Sequence, residues 1–236
     1  MKLTLFNLYA DYGHYKKFYT TSSPLTFSIP TGTALFGLIG AILGFPKEVY
    51  NKKLIEAETE ISVVIENPIK KVRFGSNKIN TSSGSISTMH KVSPKPMIQE
   101  YIKNAKYRIY FSCKDKDMLK KLEQLLKNKK TVYTPAMGIS ECIASISYVD
   151  TLDYEVIKNN NEYIQVISVV PYDQDNIDIK FEPGKKYQRE RIPILMDENR
   201  QVQTYKDIVY ETEGKSIMTK PDIYWKLENG ENIITF

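Results

Sequence analysis

Between Leu3 and Tyr9 the chain is apolar on both sides of an extended segment: Leu3, Leu5 and Tyr9 fall on one face, interrupted by Asn7, and Phe6 and Leu8 on the other. A strand buried from above and below has this pattern, so the segment predicts a central strand. Residues 11–30 are turn-rich and end in a proline. Thr31 then stands where a helix cap belongs, before an apolar run to Leu43 that stops at Gly44-Phe45-Pro46. Residues 60–66 hold Ile61, Val63, Val64 and Ile65 and predict a second strand, and Tyr107, Ile109 and Phe111 mark another over 98–112. The stretch between them, about 67–99, is rich in Ser, Asn, Gly and Thr and reads as a long hairpin-like projection.

Asp115 or Asp117 caps an amphipathic helix in which Met118, Leu119, Leu122, Leu125 and Leu126 share a face and lysines take the rest. Residues 133–138 form a turn around Pro135 and Gly138, and 139–148 close the set as a strand. The order strand, helix, strand, strand, helix, strand predicts an α+β protein whose residues 1–150 form a ferredoxin-like βαββαβ domain with a long β-hairpin. Beyond residue 150 the texture changes to short strands at 163–170, 177–181, 187–195, 202–209 and 223–227, separated by Asn159-Asn160-Asn161, Glu182-Pro183-Gly184 and Glu228-Asn229-Gly230. These predict a small antiparallel β-domain over 151–236, packed on the first.

Charge changes the picture more than bulk composition does. Residues 1–150 carry 22 Lys and Arg against 12 Asp and Glu, whereas 151–236 carry 11 against 16. A basic half joined to an acidic half predicts a polyanion partner for the first. Within it, Asn67 to Gln99 contains no carboxylate, yet holds Lys70, Lys71, Arg73, Lys78, Lys91 and Lys95. Such a stretch is either a solvated loop or bound to something negative. Cys113 and Cys142 have no partner at metal-ligand spacing and read as reduced thiols in a reducing compartment, so a cytoplasmic location is expected. No leader stands at Met1 to Ala10, and the apolar run at 34–43 is far short of the roughly 20 residues of a membrane span. No membrane, metal or cofactor is expected.

The chemistry-bearing residues are few. His14-Tyr15-Lys16-Lys17-Phe18-Tyr19 interleaves basic and aromatic side chains, which suits single-stranded RNA with Lys on phosphates and rings under bases. Thr31, Gly32 and Thr33 open a helix with backbone N–H groups, hydroxyls and the positive end of the dipole, the features of a phosphate site. Gly37, Gly40 and Gly44 share a helix face and call for close approach of another backbone, either RNA or, with more weight, the sheet. Asp and Glu lack metal-ligand spacing, which argues against a two-metal nuclease.

The run from Phe18 to Gly44, FYTTSSPLTFSIPTGTALFGLIGAILG, closely resembles the N-terminal signature of the CRISPR-associated "Cas five" family, RAMP-type subunits of the Cascade complex. Residues 133–142, YTPAMGISEC, are similar to its second block, and Arg189-Glu190-Arg191-Ile192-Pro193 to its C-terminal pattern. The resemblance implies a ferredoxin-like domain, a thumb hairpin falling on 67–99, and a β-rich C-terminal part. It further implies capping of the crRNA 5′ handle, contact with the Cascade backbone and large subunits, and only indirect engagement of target DNA. Family members often carry Arg where Lys16 or Lys17 stands, so this chain offers point charges in place of a guanidinium fork. The RNA-binding residues expected are Tyr15, Lys16, Lys17, Thr31, Gly32, Thr33, Arg73, Lys78, His90, Lys91, Lys95, Gly138 and Ser140. Because one branch of the family cleaves precursor RNA without metal, the alternative is an endoribonuclease using His14, Tyr15, His90 and Lys91.

Overall fold

The doubly apolar run lies in β1 (Lys2–Gly13), and β1 occupies the interior of a sheet, as that pattern predicts. The computed structural model describes residues 1–79, 94–172, 178–197 and 199–236. After β1 come α1 (Gly32–Leu43), α2 (Tyr50–Glu56), β2 (Glu60–Ile65), β3 (Lys71–Ile79), β4 (Pro94–Ser112), α3 (Lys116–Lys127) and β5 (Ser145–Lys158). They are followed by β6 (Ile164–Val166), β7 (Val170–Pro171), β8 (Asp178–Lys180), β9 (Tyr187–Met196) and β10 (Val202–Glu211). The chain ends with β11 (Ile217–Lys220), β12 (Ile223–Leu227) and β13 (Asn232–Ile233).

The principal sheet has the antiparallel order β13-β12-β5-β1-β4-β2. β4 is long enough to serve two partners: residues 107–112 pair with β2, and 94–102 pair with β3 to make a projecting hairpin. The expected hairpin at 67–99 is therefore present as two paired arms, and residues 80–93 lie outside the described residues. Among the described residues there are also two three-stranded sheets, β7-β10-β9 and β6-β11-β8.

Both faces of β1 are covered. Phe6 and Leu8 join Ile39 and Ile42 of α1 and Leu122 of α3 in the main core, which Ile192, Ile194, Ile208 and Tyr210 of β9 and β10 complete. Leu3 and Leu5 point the other way, into a second core with Tyr154 and Trp225, whose rings stack at 4.0 Å. Thr31 and Asp115 cap α1 and α3 through their side chains, as their positions predict. Among the described residues no helix is long and apolar enough to cross a membrane.

Four departures have local causes. The short helix α2 was not predicted, because its buried positions Tyr50, Asn51 and Leu54 span too few turns to show a period. The strand expected at 139–148 begins only at Ser145, since Cys142 N–H donates to the Ile139 carbonyl (3.0 Å) and Met137 N–H to the Cys142 carbonyl (2.7 Å), folding 137–142 into a turn. That strand then runs on to Lys158, so the boundary expected at 150 falls inside β5, and β12 returns to pair with it. β11 and β13, with four and two residues, carry no alternation long enough to read.

Of Gly37 and Gly40 on the glycine face of α1, only Gly40 packs closely, and against a helix and not the sheet. A Cβ on Gly40 would lie 2.8 Å from Tyr50 Cβ of α2, whereas one on Gly37 would meet open space. Gly44 ends the helix in the left-handed region at φ 79°, its N–H bonded to the Gly40 carbonyl. Gly40→Ala is therefore expected to cost about 1–3 kcal/mol in urea denaturation. Gly37→Ala should stabilise by about 1 kcal/mol through helix propensity; equal effects at the two sites would contradict this packing.

Candidate nucleic-acid interface

Past Gly13 the chain leaves the sheet as a narrow loop. Tyr15 N–H donates to Thr26 Oγ1 (2.9 Å), Phe27 N–H to the Tyr15 carbonyl (2.8 Å) and Lys17 N–H to the Leu25 carbonyl (2.9 Å), so 15–17 and 25–27 run side by side. This zips the loop base and sends Tyr15 into the main core while leaving Lys16, Phe18 and Tyr19 exposed. The 137–142 turn closes over the same point: His14 N–H donates to the Met137 carbonyl (3.0 Å). A side chain at Gly138, whose φ is 91°, would collide with the His14 carbonyl oxygen, so this close approach requires glycine.

The loop is tied to the hairpin and to β9 by a buried ion cluster. Glu190, its side chain 9% exposed, accepts from Lys17 Nζ at 2.8 Å and from the backbone N–H of Ser28 at 2.9 Å, and Lys71 Nζ of β3 lies 3.7 Å away. Lys71 also donates to the Thr26 carbonyl (2.9 Å) and faces Glu100 at 3.8 Å, while Arg73 Nε lies 3.2 Å from the other Glu100 oxygen. Burial acts to lower the Lys17 ammonium pKa, but the Glu190 hydrogen bond and charge outweigh it and leave it raised. Lys71 is lowered, because burial and the charge of Lys17 oppose the pull of Glu190 and Glu100.

Outside this cluster the corner presents cations and rings to solvent. Lys16, Arg73 and Lys95 are exposed, and Lys78 is half-exposed, 3.7 Å from Glu141 in the 137–142 turn. The Glu141 carboxyl is held below its usual range by its own backbone N–H and the Ser140 hydroxyl, with Lys78 adding to them. Phe18 packs edge-on to Tyr19 with centroids 5.2 Å apart and lies 5.2 Å from Tyr205 of β10, over which the Arg191 guanidinium sits at 5.5 Å. Cations over and beside exposed rings are the elements from which single-stranded nucleic acid sites are built.

Several residues expected to touch RNA have other work. Tyr15 is enclosed in the core, and burial drives its hydroxyl pKa well above the usual value, so it is neither a stacking platform nor a base. His14 is 2% exposed and its Nδ1–H donates to the Glu100 carbonyl at 2.6 Å; burial lowers its pKa and keeps it neutral. The start of α1 is not an open phosphate site: Thr31 is buried with its hydroxyl accepting from Ala34 N–H, Thr33 Oγ1 sits 3.1 Å from that hydroxyl, and Gly32 lies against the Ile194 backbone of β9. Lys17 is spent on Glu190, and Gly138 on the close approach to His14. The structure keeps Lys16 on the loop and Arg73 on Glu100, brings Lys78 and Ser140 together at Glu141 on the other face of the hairpin, and places Lys95 opposite Lys78; His90 and Lys91 lie outside the described residues.

What the pattern did not disclose was the role of carboxylates. Glu100 is the first carboxylate after the carboxylate-free run and Glu190 stands between two arginines in a strand, and those positions were the available signals. Tyr205 and Arg191 come to Phe18 only through tertiary packing. Among the described residues no group of three or more His, Cys, Asp or Glu is placed to hold a metal. Burial pushes both cysteine thiols up to about 11, so they are protonated at neutral pH.

This architecture is shared with CRISPR proteins of known structure. A CRISPR protein from Archaeoglobus fulgidus superposes with a TM-score of 0.60 at 13% identity, covering 100% of this chain and 99% of that one. A chain from a CRISPR RNA-guided surveillance complex gives 0.53 at 13% identity, covering 89% and 90%. A family model described as CRISPR-associated protein (Cas_Cas5) matches residues 4–204, and the chain belongs to that family. No curated protein sequence matches it.

The ion cluster makes a direct prediction. Glu190→Gln leaves the half-buried Lys17 and the partly exposed Lys71 ammonium groups facing an amide and should cost about 2 kcal/mol in urea denaturation. Replacing Glu190, Lys17 and Lys71 together by apolar residues should recover most of that loss; a single-variant cost below about 1 kcal/mol would show the cluster to be incidental.

Proposed function

We propose that this chain is a non-catalytic RNA-binding subunit of a cytoplasmic Cascade-type CRISPR complex, capping the 5′ handle of crRNA. In this reading it touches the backbone and large subunits and meets target DNA only indirectly. The observation that carries it is the sorting of charges at the hairpin corner. Glu100 and Glu190 face inward and consume Lys17 and Lys71, while Lys16, Arg73 and Lys95 remain at the surface, as do the rings of Phe18 and Tyr19 on the loop, with Lys78 half-exposed. Exposed cations along a projecting hairpin suit a flexible polyanion held by its backbone.

The strand order β5-β1-β4-β2, with α1 and α3 in the two crossovers, supports reading the core as ferredoxin-like, with the β3–β4 hairpin as its thumb. Fold likeness to a chain of a CRISPR RNA-guided surveillance complex, and to one of a Type III-B Cmr-beta complex bound to cognate target RNA (TM-score 0.50, 12% identity, covering 92% and 86%), supports the same placement. A cleaving role is disfavoured by His14 and Tyr15, since a general base must reach a ribose hydroxyl and both side chains are buried.

Incubation of the pure protein with precursor crRNA in EDTA should leave the RNA intact while retarding it on a native gel. A discrete cut at the repeat, lost in His90→Ala, would make the chain the processing enzyme instead. Lys78→Gln with Lys95→Gln should shallow the salt dependence of handle binding by about 1.4 log units per log unit of salt, close to 0.7 per phosphate contact on a single strand. An unchanged slope would remove the hairpin from the interface.

A further inference from the structure

A second set of rings lies at the root of the hairpin, on the face that Lys78 and Lys95 share. Tyr12, Phe74 and Tyr101 form a triangle with centroid separations of 5.3, 6.2 and 5.7 Å, the first two pairs edge-on. Tyr12 is 37% and Phe74 43% exposed, an unusual setting for large rings locked against one another. The register shows that they share a face: Tyr12 stands opposite Lys103, Tyr101 opposite Val72, and Phe74 opposite Gln99.

The backbone turns these residues outward. Ala105 and Ile102 both enter the main core although they are an odd number of residues apart, and Asn104 between them sits in the left-handed region at φ 51°. Asn tolerates that conformation better than most side chains. The change of face there sends Tyr101 and Lys103 to the side opposite Ile102, alongside Tyr12.

Farther along the same face, Lys78 and Lys95 are directly opposed across the two strands. Like charges in that arrangement repel, and Glu141, 3.7 Å from Lys78, is the acid beside them. From Phe74 to Lys78 the strand rises about 14 Å. Lys103 lies at the ring end, where the neighbouring acid, Asp11, accepts from the Tyr9 hydroxyl at 2.6 Å. The face thus offers rings at one end and an opposed lysine pair at the other, complementary to a strand bearing both bases and phosphates and less so to an apolar protein surface.

We propose that Tyr12, Phe74 and Tyr101 form a stacking site for an unpaired base of an RNA strand whose backbone continues toward Lys78 and Lys95. This rests on the RNA-binding reading above and adds to it a defined subsite. The protein takes one base edge-to-ring or face-to-ring at Phe74, with Tyr101 behind it and Lys103 beside the adjoining phosphate.

The test uses the full chain and a single-stranded RNA handle carrying 2-aminopurine at successive positions. Wild type should quench one position strongly. Phe74→Leu or Tyr12→Leu, with melting temperature unchanged, should relieve that quench and weaken binding about 5- to 150-fold without altering the salt slope, and Phe74→Tyr should restore both. Wild type that binds the handle, with quench and affinity unchanged in the Leu variants, would overturn the stacking site and leave the RNA-binding reading standing. Wild type that fails to bind any handle RNA would overturn both. Variants that keep RNA binding but lose association with another subunit would make this a protein-docking face and also overturn the inference.

Discussion

A carboxylate taken almost wholly out of water needs cations and hydrogen-bond donors around it, and Glu190 finds them in separate parts of the chain. Lys17 comes from the loop after β1, Ser28 from the approach to α1, and Lys71 from the first residue of the hairpin. β9 thereby fixes where the loop folds and where β3 begins. The Tyr107 hydroxyl donates to the Ser28 carbonyl at 2.5 Å, carrying the same constraint into β4 beneath the hairpin. Glu100 repeats the device one step outward, receiving Lys71 and Arg73 on its carboxylate and the His14 ring on its carbonyl.

This arrangement separates cations by task. Lys17 and Lys71 are ordered by inward carboxylates and have little left for a ligand, while Arg73 offers one guanidinium nitrogen to Glu100 and remains 64% exposed. An arginine so held presents its remaining donors with less rotamer entropy to lose on binding a phosphate. The corner is therefore both rigid beneath and cationic above. Glu141 is the counterweight: its carboxylate occupies Lys78 and would have to yield to a phosphate there. Weak surface pairs of this kind exchange readily for a multivalent anion.

Most of the scaffold was legible because it rests on long periodic segments. The doubly apolar β1, the capped helices α1 and α3, and the carboxylate-free first arm of the hairpin each carry a local signal that survives folding. Pieces of two to seven residues, such as β13, β11 and α2, do not. The site was legible only as composition. Once 15–17 are zipped to 25–27, the six residues of mixed basic and aromatic type from His14 to Tyr19 split into interior (His14, Tyr15), ion cluster (Lys17) and surface (Lys16, Phe18, Tyr19). The helix start at Thr31-Gly32-Thr33 has the chemistry of a phosphate site, but β9, more than 150 residues later, covers it. No local pattern encodes such a long-range contact.

The central claim is that RNA is held along one corner, formed by the loop after β1, the β3–β4 hairpin and the 137–142 turn. Hydrogen–deuterium exchange of the full chain with and without a crRNA handle tests it most directly. Slower exchange confined to peptides covering 14–27, 71–79, 94–103 and 133–144 is the predicted result. Protection falling instead on the opposite end of the sheet, around Lys2, Ser112 to Lys120 and Tyr154, would contradict the account.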